Sequence, residues 1–374
     1  MNLGFSEDDE AVREAFRQIL SSSSSREGLH AVTSGGACRD EALWGRLAES
    51  GWLGAAIPES RDGVGLEPAA LCVLAEEAGR ALTAIPYVAS SCGFAAGLTL
   101  CGNVEAAGGT ATGIADGSVT GLLLHAHDWA GRPALDTAST TITGTTTPVR
   151  GGASATTAMT LVGSGGAARI VVFALPEATE QPASDAALDP MHPCARFACS
   201  GIPATPVAEG AEANRLWKRL RAMQATFVAF EQLGGAEATL YAARDYSLER
   251  YAFGRAIGSF QSLKHMMADM LAATELARAN CHYAAAALDA DDDVLDEAAT
   301  VAHLTASDAY ALCARQSIQI HGGIGVTWEA DPHLHYRRAH ALRNALGPPA
   351  QWKERLVEGL LARHRTHHQT EAAR

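Results

Sequence analysis

The feature that most constrains the fold of this 374-residue chain is a change of composition in its middle. Residues 1–112 and 209–374 carry apolar residues at helical spacing, whereas residues 113–208 are rich in Gly, Thr, Ser and short β-branched runs. The sequence therefore predicts an α+β fold, mostly α. It has an N-terminal helical domain, a middle small β domain of about six or seven antiparallel strands, and a C-terminal four-helix bundle. The very long helix that starts near residue 211 is expected to break at Gly234 and Gly235.

Composition and charge exclude several classes of protein. The net charge is −13, from 42 acidic and 29 basic residues, and no basic stripe is present, which argues against nucleic-acid binding. No apolar run approaches the roughly 20 residues of a membrane span, and the acidic first residues are unlike a signal peptide. The eight cysteines lack CxxC spacing and are expected to be free thiols in a reducing compartment. We therefore expect a cytoplasmic protein that binds neither nucleic acid nor a membrane.

Two short motifs resemble cofactor sites but fit other structures better. GSGGAA, at residues 163–168, resembles a dinucleotide fingerprint, yet it precedes a predicted strand instead of following one. We expect a tight hairpin there. HLHYRRAH, with His333, His335 and His340, matches no zinc spacing, and its arginines would repel a cation. No metal site is expected.

The stretch RYAFGRAIGSFQ, between two predicted long helices, combines a charge, an aromatic ring and glycines. Arg250 can donate two hydrogen bonds to a phosphate, and Phe253 offers a face for stacking. Gly254 carries no side chain that would hold a ligand away from the backbone, and Gln261 can bind a ribose or a base edge. The pattern is typical of a site for a nucleotide.

A second element, QIHGG, carries Gln319, Gly322 and Gly323 and lies far along the chain. Backbone amides in such a turn bind anions. Each of these residues, taken singly, fits a surface salt bridge or a helix end equally well. Two separate elements that each pair a Gln with glycines and a group suited to pyrophosphate favour a bound nucleotide.

Together, R-x-x-F-G-x-x-I-x-x-F-Q, the later Q-x-H-G-G-x-G and RRA make the chain resemble the acyl-CoA dehydrogenase family. LWGRLAESGWLGAAIPESRDGVGL and AEEAGRAL extend the resemblance to the N-terminal domain. The resemblance implies an oxidoreductase that uses FAD for the α,β-dehydrogenation of an acyl thioester. It also implies that the 209–374 domain mediates assembly and holds the ADP half of a neighbouring chain's FAD. The residues that match this clamp are Arg250, Phe253, Ile257, Gln261, Gln319, Gly322 and Gly323.

The chain departs from the family at the catalytic base. In most members a Glu that removes the α proton follows the GGxG segment by about twenty residues; the matching residue here is Leu346. Other members place the Glu on the long helix, where this chain has Gln224. Neither side chain is a base at neutral pH. Glu231, two turns beyond Gln224 on the same helix, is the remaining candidate, and its alternative role is helix packing.

The flavin-ring site also departs from the family. Members carry a strand and loop similar to T-E-P-G-x-G-S-D around the isoalloxazine ring, whereas the matching stretch here is LLLHAHDWAGRP. The loop after the usual Glu, which touches the chain's own flavin, is GPPAQ. The half that serves a neighbour's FAD is retained, and the half that serves the chain's own FAD is altered.

Three functions remain compatible with this pattern. The chain resembles the subunit type, in bacterial heteromeric α2β2 members, that lacks the catalytic Glu and is active only with a Glu-bearing partner subunit. The second possibility is a self-sufficient flavoenzyme with altered chemistry on a CoA or carrier-protein thioester in a biosynthetic pathway. The third is a flavin-free scaffold or binding protein. All three are compatible with a dimer or tetramer.

Overall fold

Helices and strands follow one another in the order helical, β, helical. The computed structural model describes residues 4–23, 26–34, 36–102, 109–180, 188–290 and 292–372. The helices are α1 (Glu7–Ser23), α2 (Arg26–Thr33), α3 (Glu41–Glu49), α4 (Pro68–Arg80), α5 (Ala95–Leu100), α6 (Thr110–Ala115), α7 (Gly210–Glu249), α8 (Gln261–Ala286), α9 (Asp292–His321), α10 (Pro332–Asn344) and α11 (Pro349–Ala372), with a π-helix at Val88–Phe94. The strands are β1 (Gly121–Leu124), β2 (Ala134–Asp136), β3 (Thr141–Thr145), β4 (Thr157–Val162), β5 (Arg169–Ala174), β6 (Ala198–Glu209), β7 (Tyr251–Ala252) and β8 (Arg255–Ala256). This order confirms the predicted fold class.

The middle sheet contains six strands in the order β1-β4-β5-β6-β3-β2. β1 pairs with β4 in parallel, and the other neighbours are antiparallel. The expectation of a purely antiparallel sheet is therefore wrong at one edge. The reason is that the chain crosses through β2 and β3 between β1 and β4 instead of returning in a hairpin. GSGGAA joins β4 to β5 as the predicted hairpin turn.

α7 runs unbroken for 40 residues, so the interruption expected at Gly234 and Gly235 is wrong. Both glycines lie against other helices. A Cβ atom on Gly234 would lie 1.9 Å from the backbone carbonyl oxygen of Glu76 in α4, and one on Gly235 would lie 2.4 Å from the ring of Tyr310 in α9. Close helix approach, which only a residue without a side chain permits, outweighs the roughly 1 kcal/mol that each glycine costs a helix.

The α4–α7 crossing is reciprocal. A Cβ atom on Gly79 of α4 would lie 1.9 Å from the backbone carbonyl oxygen of Glu231 in α7. At each glycine, a backbone carbonyl of the facing helix therefore occupies the space that a side chain would otherwise fill. The two backbones are in direct contact, and this contact joins the N-terminal helices to the C-terminal ones.

The stretch after α7 is a β-hairpin followed by a 3₁₀ turn at Ile257–Ser259, and it is not part of a helix. Phe253 and Gly254 form the turn between β7 and β8, with φ of +53° and +78°. Positive φ at both central residues is what the type I′ hairpin turn requires. A Cβ atom added to Gly258 would lie 2.7 Å from the hydroxyl oxygen of Ser247 in α7. Both glycines therefore have structural reasons that do not involve a ligand.

Of the five histidines that are buried among the described residues, His125, His192, His303 and His335 have strongly lowered pKa values and are uncharged at neutral pH. Burial lowers the pKa of His125 and His303 to about 4 and, together with nearby arginines, that of His192 and His335 to about 3. His303 of α9 packs on Trp352 of α11, with ring centroids 5.0 Å apart. Within the described part of the chain, neither of its ring nitrogens has a hydrogen-bond partner.

We predict that Gly234→Ala lowers the free energy of unfolding by about 3 kcal/mol, because the new methyl group overlaps a backbone oxygen that only a helix shift can move. Gly45→Ala in α3 is the matched control, since no atom lies within 4 Å of its added Cβ. It should raise stability by up to about 1 kcal/mol. Urea unfolding of both variants measures the difference. Equal effects would contradict the backbone contact between α4 and α7.

We also predict that His303→Leu makes the protein less sensitive to acid. The folded pKa of about 4 lies below the usual 6.5, so the unfolded state binds more protons between these values. The stability of the unsubstituted protein is lost as the pH falls through this window. His303 alone accounts for about 2 kcal/mol of that loss at pH 5. Thermal or urea unfolding at pH 7 and pH 5 should show a smaller loss in the variant, and the same loss in both proteins would contradict it.

Candidate functional site

The two predicted nucleotide-binding motifs lie at one end of the C-terminal helices. Gln232 of α7 bonds Ser307 of α9 at 2.9 Å, and the ring of Tyr246, further along α7, stacks on His321 at the end of α9, with centroids 4.4 Å apart. The second contact lies further along both helices than the first, so α7 and α9 run parallel. α8, which connects them, runs antiparallel to both. The β7–β8 hairpin after α7 and the 3₁₀ turn Gly322–Val326 after α9 therefore share one surface.

The predicted clamp residues are mostly exposed on this surface. Phe253 is 96% exposed, although it is a large apolar side chain at a positive φ. An exposed large apolar side chain and a positive φ at a residue other than glycine are each unfavourable in an isolated chain, and both are found at functional surfaces. Ile257 differs: it is half-buried and packs on the core, and its backbone N–H donates to the carbonyl of Arg250 at 2.8 Å. The exposed members are Arg250, Phe253, Gln261, Gln319, Gly322 and Gly323.

The positions that match the family's base converge at a different place. Leu346, in the loop after α10, and Gln224 of α7 line one cleft between the sheet and α7. Glu231 lines the same cleft, as do Val88 of the π-helix and His125 after β1. The clamp and the cleft are thus separate sites on this chain, and the sequence candidates divide between them.

Gln224 is bonded across the cleft to His125. The Oε1 atom of Gln224 lies 2.5 Å from Nε2 of His125, and both residues are buried. Burial lowers the pKa of His125 to about 4, so its ring is neutral and donates from Nε2 to the amide oxygen. Sequence analysis did not identify His125, because a single histidine after a strand carries no signal of its own.

Glu231 is engaged by two arginines. Its Oε1 atom lies 3.5 Å from Nη1 of Arg338 and 3.6 Å from Nη2 of Arg150, and its side chain is buried. A carboxylate between two guanidinium groups is a counter-ion that the buried charges need. The contacts support the helix-packing role for Glu231 over the role of base.

Asp189 completes this ion cluster. Its Oδ2 atom accepts hydrogen bonds from Nε of Arg338 at 2.6 Å and Nη2 of Arg150 at 3.1 Å. Burial alone would raise the pKa of Asp189, but the charge of Arg338 holds it well below its usual range. Arg338 also donates to the carbonyl of Thr83 at 3.0 Å, which ties α10 to the N-terminal helices. Arg338, in the RRA motif, and Glu231 carried a sequence signal, whereas Arg150 and Asp189 did not.

Asp128 is a further carboxylate in the cleft that sequence analysis missed. Burial raises its pKa, while one of its oxygens accepts the backbone N–H of His125 at 2.8 Å. This bond fixes the turn after β1 and orients the His125 ring. Asp128 is therefore a positioning group for the bond between His125 and Gln224.

The remaining sequence candidates have local partners. The Nδ1 atom of His335 lies 2.8 Å from the hydroxyl of Tyr310, and His333 packs on Trp328 with centroids 4.8 Å apart. Across the described ranges, no group of three or more His, Cys, Asp or Glu side chains is placed to hold a metal ion. None of the helices in those ranges is long and apolar enough to cross a membrane. All eight cysteines are free.

Comparison with protein families matches both helical parts of the chain. The acyl-CoA dehydrogenase N-terminal domain matches residues 6–118, and the acyl-CoA dehydrogenase C-terminal domain matches residues 216–361. The acyl-CoA dehydrogenase IpdE2 of Mycobacterium tuberculosis is 30% identical over 94% of this chain and 96% of its own length. The acyl-CoA dehydrogenase FadE34 of the same organism is 34% identical over 83% of this chain, which spans only 41% of FadE34.

Solved structures show the same fold. A variant of the Tcur3481–Tcur3483 steroid ACAD superposes with a TM-score of 0.85 at 25% identity, over 97% of this chain and 100% of that chain. The ChsE4–ChsE5 complex of Mycobacterium tuberculosis also gives 0.85, at 22% identity, over 96% of this chain and 99% of that chain.

We predict that Arg338→Leu lowers the free energy of unfolding by about 3–5 kcal/mol, because it leaves Asp189 and Glu231 buried with too little positive charge. Arg343→Leu on the same helix is the matched control. Its partner Asp308 is exposed, so the loss should stay under about 1 kcal/mol. Denaturant unfolding compares them, and similar losses would contradict the buried cluster.

Proposed function

This chain belongs to the acyl-CoA dehydrogenase family, and from that premise we propose that it is the subunit of a heteromeric complex that lacks the catalytic base. In this proposal it provides a surface for the ADP half of a partner's FAD, and a second family member provides the glutamate. The observation that carries the proposal is the contrast between the two sites. The clamp surface is exposed, with Phe253 at 96%, whereas Leu346 and Gln224 stand where a base is required.

The reaction of the family sets what each chain must supply. Removing a proton from the α carbon of a thioester needs a positioned carboxylate, and FAD, when bound, accepts the hydride from the β carbon. On this chain, Arg250 would pair with the pyrophosphate and Phe253 would stack on an apolar or aromatic face of the nucleotide. The exposed backbone of Gly322 and Gly323, with no atom near an added Cβ, leaves room for a phosphate.

Two related structures support an assembly of unlike chains. One is named for two gene products, Tcur3481 and Tcur3483, and the other is the ChsE4–ChsE5 complex. The former is a steroid ACAD, which makes a bulky acyl thioester the substrate class for our proposal.

A self-sufficient flavoenzyme is the second candidate, and Glu231 is the observation that favours it. Glu231 is a carboxylate in the same cleft as Leu346 and Gln224. Its two arginine contacts count against it, because a base must be free to take a proton from substrate. A flavin-free scaffold is the third candidate, and it gives no reason for the exposed clamp residues.

The proposal predicts that the chain purified alone is colourless and that it acquires FAD with a family member from the same genome that carries the Glu. In that complex, Arg250→Ala should lower the affinity for FAD by at least about tenfold, since two charge-assisted hydrogen bonds are lost. Flavin absorbance per chain and FAD titration of the deflavinated complex measure both effects.

Arg244→Ala is the matched control. Arg244 lies on α7, is exposed, contacts its neighbours Asp245 and Tyr241, and is not one of the clamp residues. It should leave FAD binding unchanged. One FAD per chain in the protein purified alone would favour the self-sufficient enzyme, and no flavin in any assembly would favour the scaffold.

A further inference from the structure

We propose that the hydrogen bond between His125 and Gln224 is a latch that closes this chain's own cleft, so that the cleft does not accept an isoalloxazine ring. The inference rests on the proposed function, in which the flavin serves the partner's site. It concerns a different place from the clamp and has its own test.

The latch joins three parts of the fold. His125 directly follows β1, and Gln224 lies 99 residues later in α7, so their 2.5 Å bond connects the sheet to the C-terminal helices. The side chain of Gln224 also lies against the π-helix, 3.7 Å from the position of a Cβ atom added to Gly93. Separating the sheet from α7 requires this bond to break.

His125 cannot easily turn away from Gln224. Its backbone N–H is bonded to Asp128, its ring is parallel to that of His127 with centroids 5.8 Å apart, and Trp217 of α7 lies 5.3 Å from it. Contacts on several sides fix the rotamer. The imidazole therefore remains in the cleft, where the family's flavin-binding strand and loop would face the ring.

Burial shows that little space is left around the latch itself. A vacant site for a tricyclic ring would admit water and leave its lining side chains partly exposed. Here Glu231, His125, Gln224 and Leu346 are 5%, 6%, 7% and 8% exposed. These four side chains therefore fill the part of the cleft around the latch, whereas Asp128, Arg150 and Ala345 elsewhere in its lining are partly exposed. The space around the latch does not fit an isoalloxazine ring while the latch is closed, in contrast to the exposed clamp.

The floor of the cleft adds a second obstacle. Arg150 lines the cleft beside Glu231 and is bonded to Asp189. These paired charges hold one wall of the cleft in place, because buried ions that lose a partner are strongly destabilised. The ion pairs therefore fix one wall of the cleft, and the latch closes the cleft by joining the sheet to α7.

Lumiflavin, the isoalloxazine ring without the ribityl and ADP groups, tests the latch directly. The full chain, purified alone, is titrated into lumiflavin while the quenching of flavin fluorescence is followed. We expect the unsubstituted chain to show no saturable binding. The double variant His125→Gly/Gln224→Ala should bind lumiflavin saturably, because it removes both latch side chains and opens space beside the apolar residues Val88, Leu122 and Val228 of the cleft.

Gln232→Ala is the matched control. It removes the same side chain from the same helix, where Gln232 bonds Ser307 outside the cleft. It should leave lumiflavin binding unchanged. If the double variant fails to melt cooperatively, Gln224→Ala alone carries the test, since Ala favours the helix. Saturable binding to the unsubstituted chain, or no gain in the folded variant, would overturn the latch.

The outcome is independent of the clamp. Arg250→Ala should not alter lumiflavin binding, because the ring carries no phosphate and Arg250 lies outside the cleft. If the complex holds no FAD but lumiflavin behaves as expected, the proposed function fails and the latch stands. If the unsubstituted chain binds lumiflavin while FAD still depends on the partner and on Arg250, the latch fails and the proposed function stands.

Discussion

The backbone contact between α4 and α7 is the constraint on which the rest of the structure depends. Gly79 and Gly234 each face the backbone carbonyl of a glutamate three residues before the other glycine, Glu231 and Glu76. Because the helices touch without intervening side chains, neither can slide or rotate on the other. The two glutamate side chains are then held at fixed positions, where arginines pair with them: Arg13, Arg80 and Arg278 with Glu76, and Arg150 and Arg338 with Glu231.

In our proposal, this constraint counts against Glu231 as the catalytic base. Its backbone carbonyl is part of the helix crossing, and its carboxylate neutralises two arginines. A proton-accepting role would neutralise Glu231 and leave Asp189 as the one carboxylate that pairs with both Arg150 and Arg338. Glu231 lines the same cleft as Leu346 and Gln224, but its backbone carbonyl and its carboxylate both already have structural roles.

The order of elements and the family could be predicted from the sequence because periodicity, composition and local motifs report them directly. The role of Gly234 and Gly235 could not, since a glycine that ends a helix and one that permits a helix crossing look the same without the partner helix. Likewise, Arg150 and Asp189 lie in separate loops, and only the fold brings them to Arg338 and Glu231. His125 was missed for the same reason: its partner is 99 residues away.

The proposed loss of the base and the proposed clamp surface are physically compatible, because they depend on different elements. The clamp surface is built on the ends of α7, α8 and α9, which the stacking of Tyr246 on His321 holds together. The cleft depends on the first half of α7, the turn after β1 and the loop at Leu346. Substitutions at separate sites without shared partners act independently. A chain can therefore close its own ring site without disturbing the surface that it offers to another chain.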